Sequence, residues 1–265
     1  MKNIRTFLIV TFLMVIQSCE ESPEKGIPIN GSFVYPLNVS NTWTYKVSVT
    51  YSDIRPDSIK WRINNYTISY QDIVTRDTTL NSIPVYEIKE WGPDISDSYV
   101  YFANETNGLF EYAYSFNSSL AKANTLKIIP YHGIFFNDSF ELFRQFKKTT
   151  SLSKSYNDSI YFLEEPYMLY LYPWVIGEQW NYSVDPIIKK KVIGKETIET
   201  DAGVYDCYKV QYLYTDATYL EYIGAVGLIK TVIKVDDMPV TTLEYPEGIG
   251  RVDIKIVTVL TDVNF

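Results

Sequence analysis

Strict alternation of apolar and polar positions runs through most of the chain. In Trp43-Thr44-Tyr45-Lys46-Val47-Ser48-Val49-Thr50-Tyr51 every odd residue is apolar or aromatic. A period of two puts those side chains on one face, which predicts a half-buried antiparallel strand. Trp61 to Tyr70, Val85 to Lys89 and Tyr99 to Phe102 predict further strands. Asn107-Gly108 ahead of Leu109-Phe110-Glu111-Tyr112 is a hairpin signal. Polar residues at 72–81 and 92–98 predict loops, and so do Glu164-Glu165-Pro166 and Asp236-Asp237 between apolar runs. One stretch departs from the period of two. Phe140, Phe143 and Phe146 recur every third residue, Asp138 can cap them, and Lys147-Lys148 close them, which predicts a short helix over 139–148. The polar residues 149–159 then read as a connector. The fold class expected is all-β, mainly antiparallel.

The chain also matches itself. Tyr35-Pro36 followed by Trp43-Thr44-Tyr45 has the spacing of Tyr172-Pro173 followed by Trp180-Asn181-Tyr182. Val85-Tyr86 through Lys89 parallels Val204-Tyr205 through Lys209, and Gly108-Leu109 parallels Gly227-Leu228. Three matches in one order imply a repeated β unit. The expected division is a first unit over 33–160, which includes the helix, and a second over 161–265. Trp43, Tyr45, Trp180 and Tyr182, two apart on a strand in each pair, share a face. They read first as core aromatics, and as the candidate ligand-binding residues if that face is open.

The N-terminal end has its own pattern. Lys2 and Arg5 precede the apolar run Phe7 to Ile16, broken only by Thr11. That run is shorter than the roughly 20 residues of a membrane span and fits a secretory signal. Ile16-Gln17-Ser18-Cys19 resembles the lipobox of bacterial lipoproteins, with Gln17 in a place usually held by a small residue. The resemblance implies removal of residues 1–18, lipidation of Cys19, and attachment to a membrane by several acyl chains. Residues 19–32, with Pro23 and Pro28, then read as a flexible tether. The acidic start Glu20-Glu21 resembles the export tag of Bacteroidetes surface lipoproteins, which implies the outer membrane.

Composition narrows the function. The chain of 265 residues carries a formal charge of −8, and loss of Lys2 and Arg5 takes it to −10. Such an acidic chain without a basic stripe argues against nucleic acid. Lys189-Lys190-Lys191 reads as a solvated strand end. With Cys19 lipidated, Cys207 is left without a partner, so no internal disulfide is expected and a packed core must hold the fold. Cys207 itself reads as a buried thiol. The 24 tyrosines, beside 13 Phe and 5 Trp, favour strands. No catalytic constellation emerges. His132, in Pro130-Tyr131-His132-Gly133, is the single histidine and reads as a turn residue; no cofactor or metal site is expected. Adjacent carboxylates on a strand point to opposite faces, which leaves no acid pair for glycoside hydrolysis. Asp57-Ser58-Ile59, Asp77-Thr78-Thr79 and Asp158-Ser159-Ile160 resemble an O-glycosylation acceptor, all in expected loops.

Gly194 to Val210, then Glu221-Tyr222-Ile223-Gly224-Ala225-Val226-Gly227-Leu228-Ile229-Lys230, resembles a pattern of uncharacterised envelope lipoproteins. Asp201, Val204-Tyr205 and Ser40 depart from the residues usual there. That group is similar to the lipoprotein-carrier family. The resemblance implies a twisted sheet curled into an open half-barrel, and a lipid or other apolar ligand on its concave face in some relatives. The function expected is thus a non-enzymatic anchored protein that binds an apolar or amphiphilic ligand. The rival is a structural or interaction lipoprotein of an outer-membrane complex, or a glycan-binding surface protein.

Overall fold

The computed structural model describes residues 33–92, 95–116, 126–131, 134–136, 160–184, 187–213, 217–242 and 245–265. The signal, Cys19, the tether, His132 and the expected helix at 139–148 with its connector lie outside them.

The chain is all-β and antiparallel, as the alternation predicts. The strands are β1 Thr42–Arg55, β2 Tyr66–Leu80, β3 Ile83–Gly92, β4 Ile95–Glu105, β5 Gly108–Phe116, β6 Leu126–Tyr131 and β7 Ile134–Phe136. They continue as β8 Tyr161–Leu171, β9 Gln179–Val184, β10 Ile187–Thr200, β11 Gly203–Leu213, β12 Ala217–Gly224, β13 Gly227–Thr242 and β14 Tyr245–Asn264. Twelve of them follow the order β8-β5-β4-β3-β2-β1-β14-β13-β12-β11-β10-β9, and β6 extends from β13 to carry β7. Two meanders are joined where the 20-residue β14 pairs with both β13 and β1. Register shifts interrupt most ladders, among them Thr44/Tyr45 in β1 and Val192/Gly194 in β10. Each such bulge sharpens the local twist. The sheet coils into a nearly closed barrel whose one seam lies between β8 and β9.

The alternation of β1 appears as burial. Trp43, Tyr45, Val47 and Val49 are buried and Lys46 and Thr50 exposed. The self-matching segments fall at the starts of β1 and β9, along β3 and β11, and at the starts of β5 and β13. The Asn107-Gly108 signal is the β4–β5 hairpin. There the backbone comes so close that a Cβ on Gly108 would run into the Tyr170 carbonyl oxygen.

Several expected loops are strand instead. Residues 72–80 belong to β2 and pair with β3 along most of that length, while the ladder to β1 ends at Ile73 and Val74 turns inward. Residues 92–98 are largely the ends of β3 and β4, which meet at Gly92 and Ile95. Asp236-Asp237 lies in a bulge of β13, with Asp237 at φ 56, rather than in a turn. Glu164-Glu165-Pro166 runs inside β8, in a gap in its ladder to β5. Conversely, Trp61 lies in the 3-10 helix Asp57–Arg62, and β2 begins only at Tyr66. Of the three resembled acceptor tripeptides, Asp57-Ser58-Ile59 is in that helix with Ile59 buried, and Asp77-Thr78-Thr79 is in β2. Residues 158–159 of the third lie outside the described residues.

Candidate functional site: a lysine inside the aromatic barrel

The barrel interior is lined with tyrosine. Tyr45, Tyr70, Tyr182, Tyr205, Tyr212 and Tyr219 are all buried in one core with Trp43 and Trp180. All four nominated aromatics are there, and the polar ends of three are committed. The Trp43 indole donates to the Val226 carbonyl (2.6 Å), Tyr45 O–H to the Leu228 carbonyl (3.1 Å) and the Trp180 indole to the Met168 carbonyl (3.0 Å). Tyr182 packs its ring on Tyr167 and Tyr212. Their backs are closed by the chain's own side chains.

Lys190 overturns its reading as a solvated strand end. It sits in mid-strand on β10 at 0% exposure, while Lys189 on the opposite face is exposed. The alternation Ile188, Lys190, Val192 carries it inward with its apolar neighbours. Its ammonium donates to Glu221 Oε2 and to the Leu169 carbonyl, each at 2.9 Å. It also lies 4.1 Å from the ring centre of Tyr212 and 4.8 Å from those of Tyr170 and Tyr182. The other oxygen of Glu221 accepts from Tyr212 (3.2 Å) and Tyr219 (3.3 Å), whose rings stack 4.0 Å apart. Charge, hydrogen bonds and ring faces thus offset a desolvation that would cost several kcal/mol per bare ion.

Burial pushes the Lys190 ammonium below its ordinary pKa, against the pull of Glu221 and of Glu111. It pushes Tyr170 and Tyr212 upward, with the Glu221 charge adding to the effect. Glu111, on β5, is buried as well. Beside Glu221 the interior stays polar. Cross-strand pairing sets Val210, Glu221, Thr231, Thr258 and Val47 in one row. The hydroxyls of Thr231 and Thr258 are fully buried and have no hydrogen-bond partner among the described residues.

This island abuts the seam. Among the described residues no backbone ladder joins β8 to β9. Side chains do that work: Trp180 and Lys190 donate to the consecutive β8 carbonyls of Met168 and Leu169, and Tyr167 packs on Tyr182. The lead-in segments interlock nearby. Tyr35 N–H donates to the Tyr172 hydroxyl (2.9 Å), that hydroxyl donates to Asn104 Oδ1 (3.1 Å), and Asn104 Nδ2 donates to the Tyr35 carbonyl (2.8 Å).

Outside this island the chemistry is sparse. Cys207 is a buried free thiol, as its setting suggested, and burial pushes it up to about 12. Glu87, on the other face of β3, accepts from Thr75, Arg76 and Tyr101. Lys190 was hidden from sequence reasoning because the lysines on either side mask its period. The inward alternation with Ile188 and Val192 was the signal that could have found it.

No protein-family model matches this chain, and no curated protein does. Two solved structures are similar to it. One is a candidate lipoprotein of Parabacteroides distasonis, with 16% identity, a TM-score of 0.29, and coverage of 88% of this chain and 98% of that one. The other is a candidate exported protein with a YmcC-like fold from Bacteroides fragilis, with 11% identity, a TM-score of 0.32, and coverage of 88% and 99%.

Proposed function

We propose that this chain is an exported envelope protein, held to the outer membrane by lipid on Cys19, whose barrel takes an apolar or amphiphilic ligand without catalysing a reaction. The observation that carries the ligand reading is the polar island of Lys190, Glu221, Thr231 and Thr258 set in an aromatic wall beside an unladdered seam. An amphiphile would place its polar end on the island and its apolar part among Trp43, Tyr45, Trp180 and Tyr182, with the seam as its way in. No catalytic residue, cofactor or metal is assigned. The two self-matching meanders are read as a duplicated unit, with a boundary near 160. Native mass spectrometry of protein purified without detergent, and the melting temperature in envelope lipid extract, test the ligand. A bare mass together with an unmoved melting temperature sinks it. Acyl labelling that persists in Cys19→Ala would sink the anchor.

The second reading is a structural or interaction lipoprotein of an outer-membrane complex, or a glycan-binding surface protein. It is favoured by the closure of all four nominated aromatics inside the chain's own core. Crosslinking in cells that captures one partner, with no ligand in the native mass, would select it.

A further inference from the structure

The outer wall of β1 and β10–β14 segregates charge. Cross-strand pairing sets its side chains in rows. One row runs Lys46, Val259, Lys230, Tyr222, Lys209 and Gly194. The next runs Ser48, Val257, Val232, Leu220, Gln211 and Lys191, and the third Thr50, Lys255, Lys234, Thr218 and Leu213. These three rows hold six lysines and no carboxylate, in a chain whose net charge is −8. From strand and residue spacings the field measures about 24 by 14 Å. Each lysine therefore lies within about two Debye lengths of its nearest neighbours in the field at physiological salt, and adjacent potentials reinforce.

The field is largely unneutralised. Lys209 is paired with Glu196, at its border. Lys46, Lys191, Lys234 and Lys255 form no ion pair among the described residues. Lys209 and Lys230 flank the Tyr222 ring at 5.2 and 5.4 Å, which orders both outward-facing ammonium groups without cancelling their charge. Lys234 and Lys255 are direct cross-strand partners and both are exposed. Like charges placed so destabilise a sheet. Half-buried Val232, Val257 and Leu220 lie between the lysines. The acidic residues stand beyond both ends of the field: Asp253 past Lys255, and Asp262 past Val259.

We propose that this wall docks the barrel on the anionic headgroup surface of the membrane that carries it. The proposal rests on the reading of Cys19 as the lipid anchor. Charge complementarity selects the occupant, and chain length places it within reach. From Cys19 to Phe33 the backbone spans at most about 50 Å. An anchored barrel is thus always close enough to lay its wall on the bilayer. Contact with phosphate groups also relieves the Lys234–Lys255 repulsion. The lipid sets the distance, and the lysines set which side faces the membrane.

The test uses the chain from residue 19 onward carrying Cys19→Ser, so that lipid plays no part; the described sheet, with its entire core, is retained. Its flotation is measured with phosphatidylcholine vesicles alone and with vesicles containing roughly 30% phosphatidylglycerol, whose negative surface attracts basic residues. The expected result is flotation with the anionic vesicles only, lost at about 0.5 M salt, where screening shortens the Debye length to a few ångströms. Each lysine near an anionic surface contributes roughly fivefold in partitioning, so the variant Lys46→Gln, Lys234→Gln, Lys255→Gln, which changes three exposed lysines, should bind on the order of a hundredfold more weakly. Its melting temperature should not fall, since the variant removes only exposed charge. Equal flotation with both vesicle types, no flotation with either, or undiminished flotation of the folded variant would overturn the proposal. Binding to soluble dextran sulfate but not to vesicles would also overturn it, in favour of an acidic glycan. Acyl labelling at Cys19 is measured separately, so a failed wall and a failed anchor are told apart.

Discussion

Replacement of Lys190 by methionine tests the buried island most directly. Methionine keeps the apolar stem and removes the ammonium, which strips Glu221 of its counter-charge and the Leu169 carbonyl of a donor. Glu221 is then a buried carboxylate with only the Tyr212 and Tyr219 hydroxyls to solvate it. Breaking one side of such a pair costs about 3–5 kcal/mol. That is a large part of the 5–15 kcal/mol that holds a typical domain folded. At about 2–4 °C per kcal/mol for a chain this long, the melting temperature should drop by roughly 6–20 °C. One further signature separates the charge from simple loss of packing. The double variant Lys190→Met, Glu221→Gln keeps an acceptor for both tyrosines and removes the charge, so it should regain most of the loss. Urea denaturation of the two single variants and the double closes the cycle, with exposed Lys189→Met as the control. If Lys190→Met melts within a degree or so of the parent, or if Glu221→Gln fails to rescue it, the island does not work as described.

Trp180→Phe removes the other donor that bridges the seam, and should cost about 1 kcal/mol and speed amide exchange in β8 more than in β13, as read by hydrogen exchange. Gly108→Ala puts a methyl group against the Tyr170 carbonyl and should part β5 from β8, with a melting loss above that of Gly194→Ala, where nothing lies within 4 Å. Alkaline stability should fall in stages. The thiol of Cys207 stays protonated to about 12 in the fold, whereas the unfolded thiol ionises near its ordinary value of 9.0, so stability is present below that value and lost above it. Cys207→Ala should remove this limb of a melting-temperature profile and leave the tyrosine limb, in which Tyr101 and Tyr112, raised to about 12, lose stability from their ordinary 10.0 upward.

Local patterning along the chain set the strand content of this protein and the inward face of most strands. Alternation is a local property, and β1 buries the odd residues it promised. The β4–β5 hairpin was equally local: its two turn residues are Thr106 and Asn107, and Gly108 opens β5 opposite Glu105. Polar strands were the failure: β2 from 72 to 80 looked like a loop, because what makes it strand is its hairpin pairing with β3, which the polarity of its own residues does not announce. The same held for the Asp236-Asp237 bulge, whose form depends on β14. Long-range packing alone joined β14 to β1 and brought the barrel round to a seam at β8 and β9. Only it turned a run of three lysines into one buried pair and two outward charges, and gathered six lysines from five strands on one wall. The physical reason is the same in each case. A strand's pattern states which residues share a face, whereas the charge, burial and partners on that face depend on which strands close beside it.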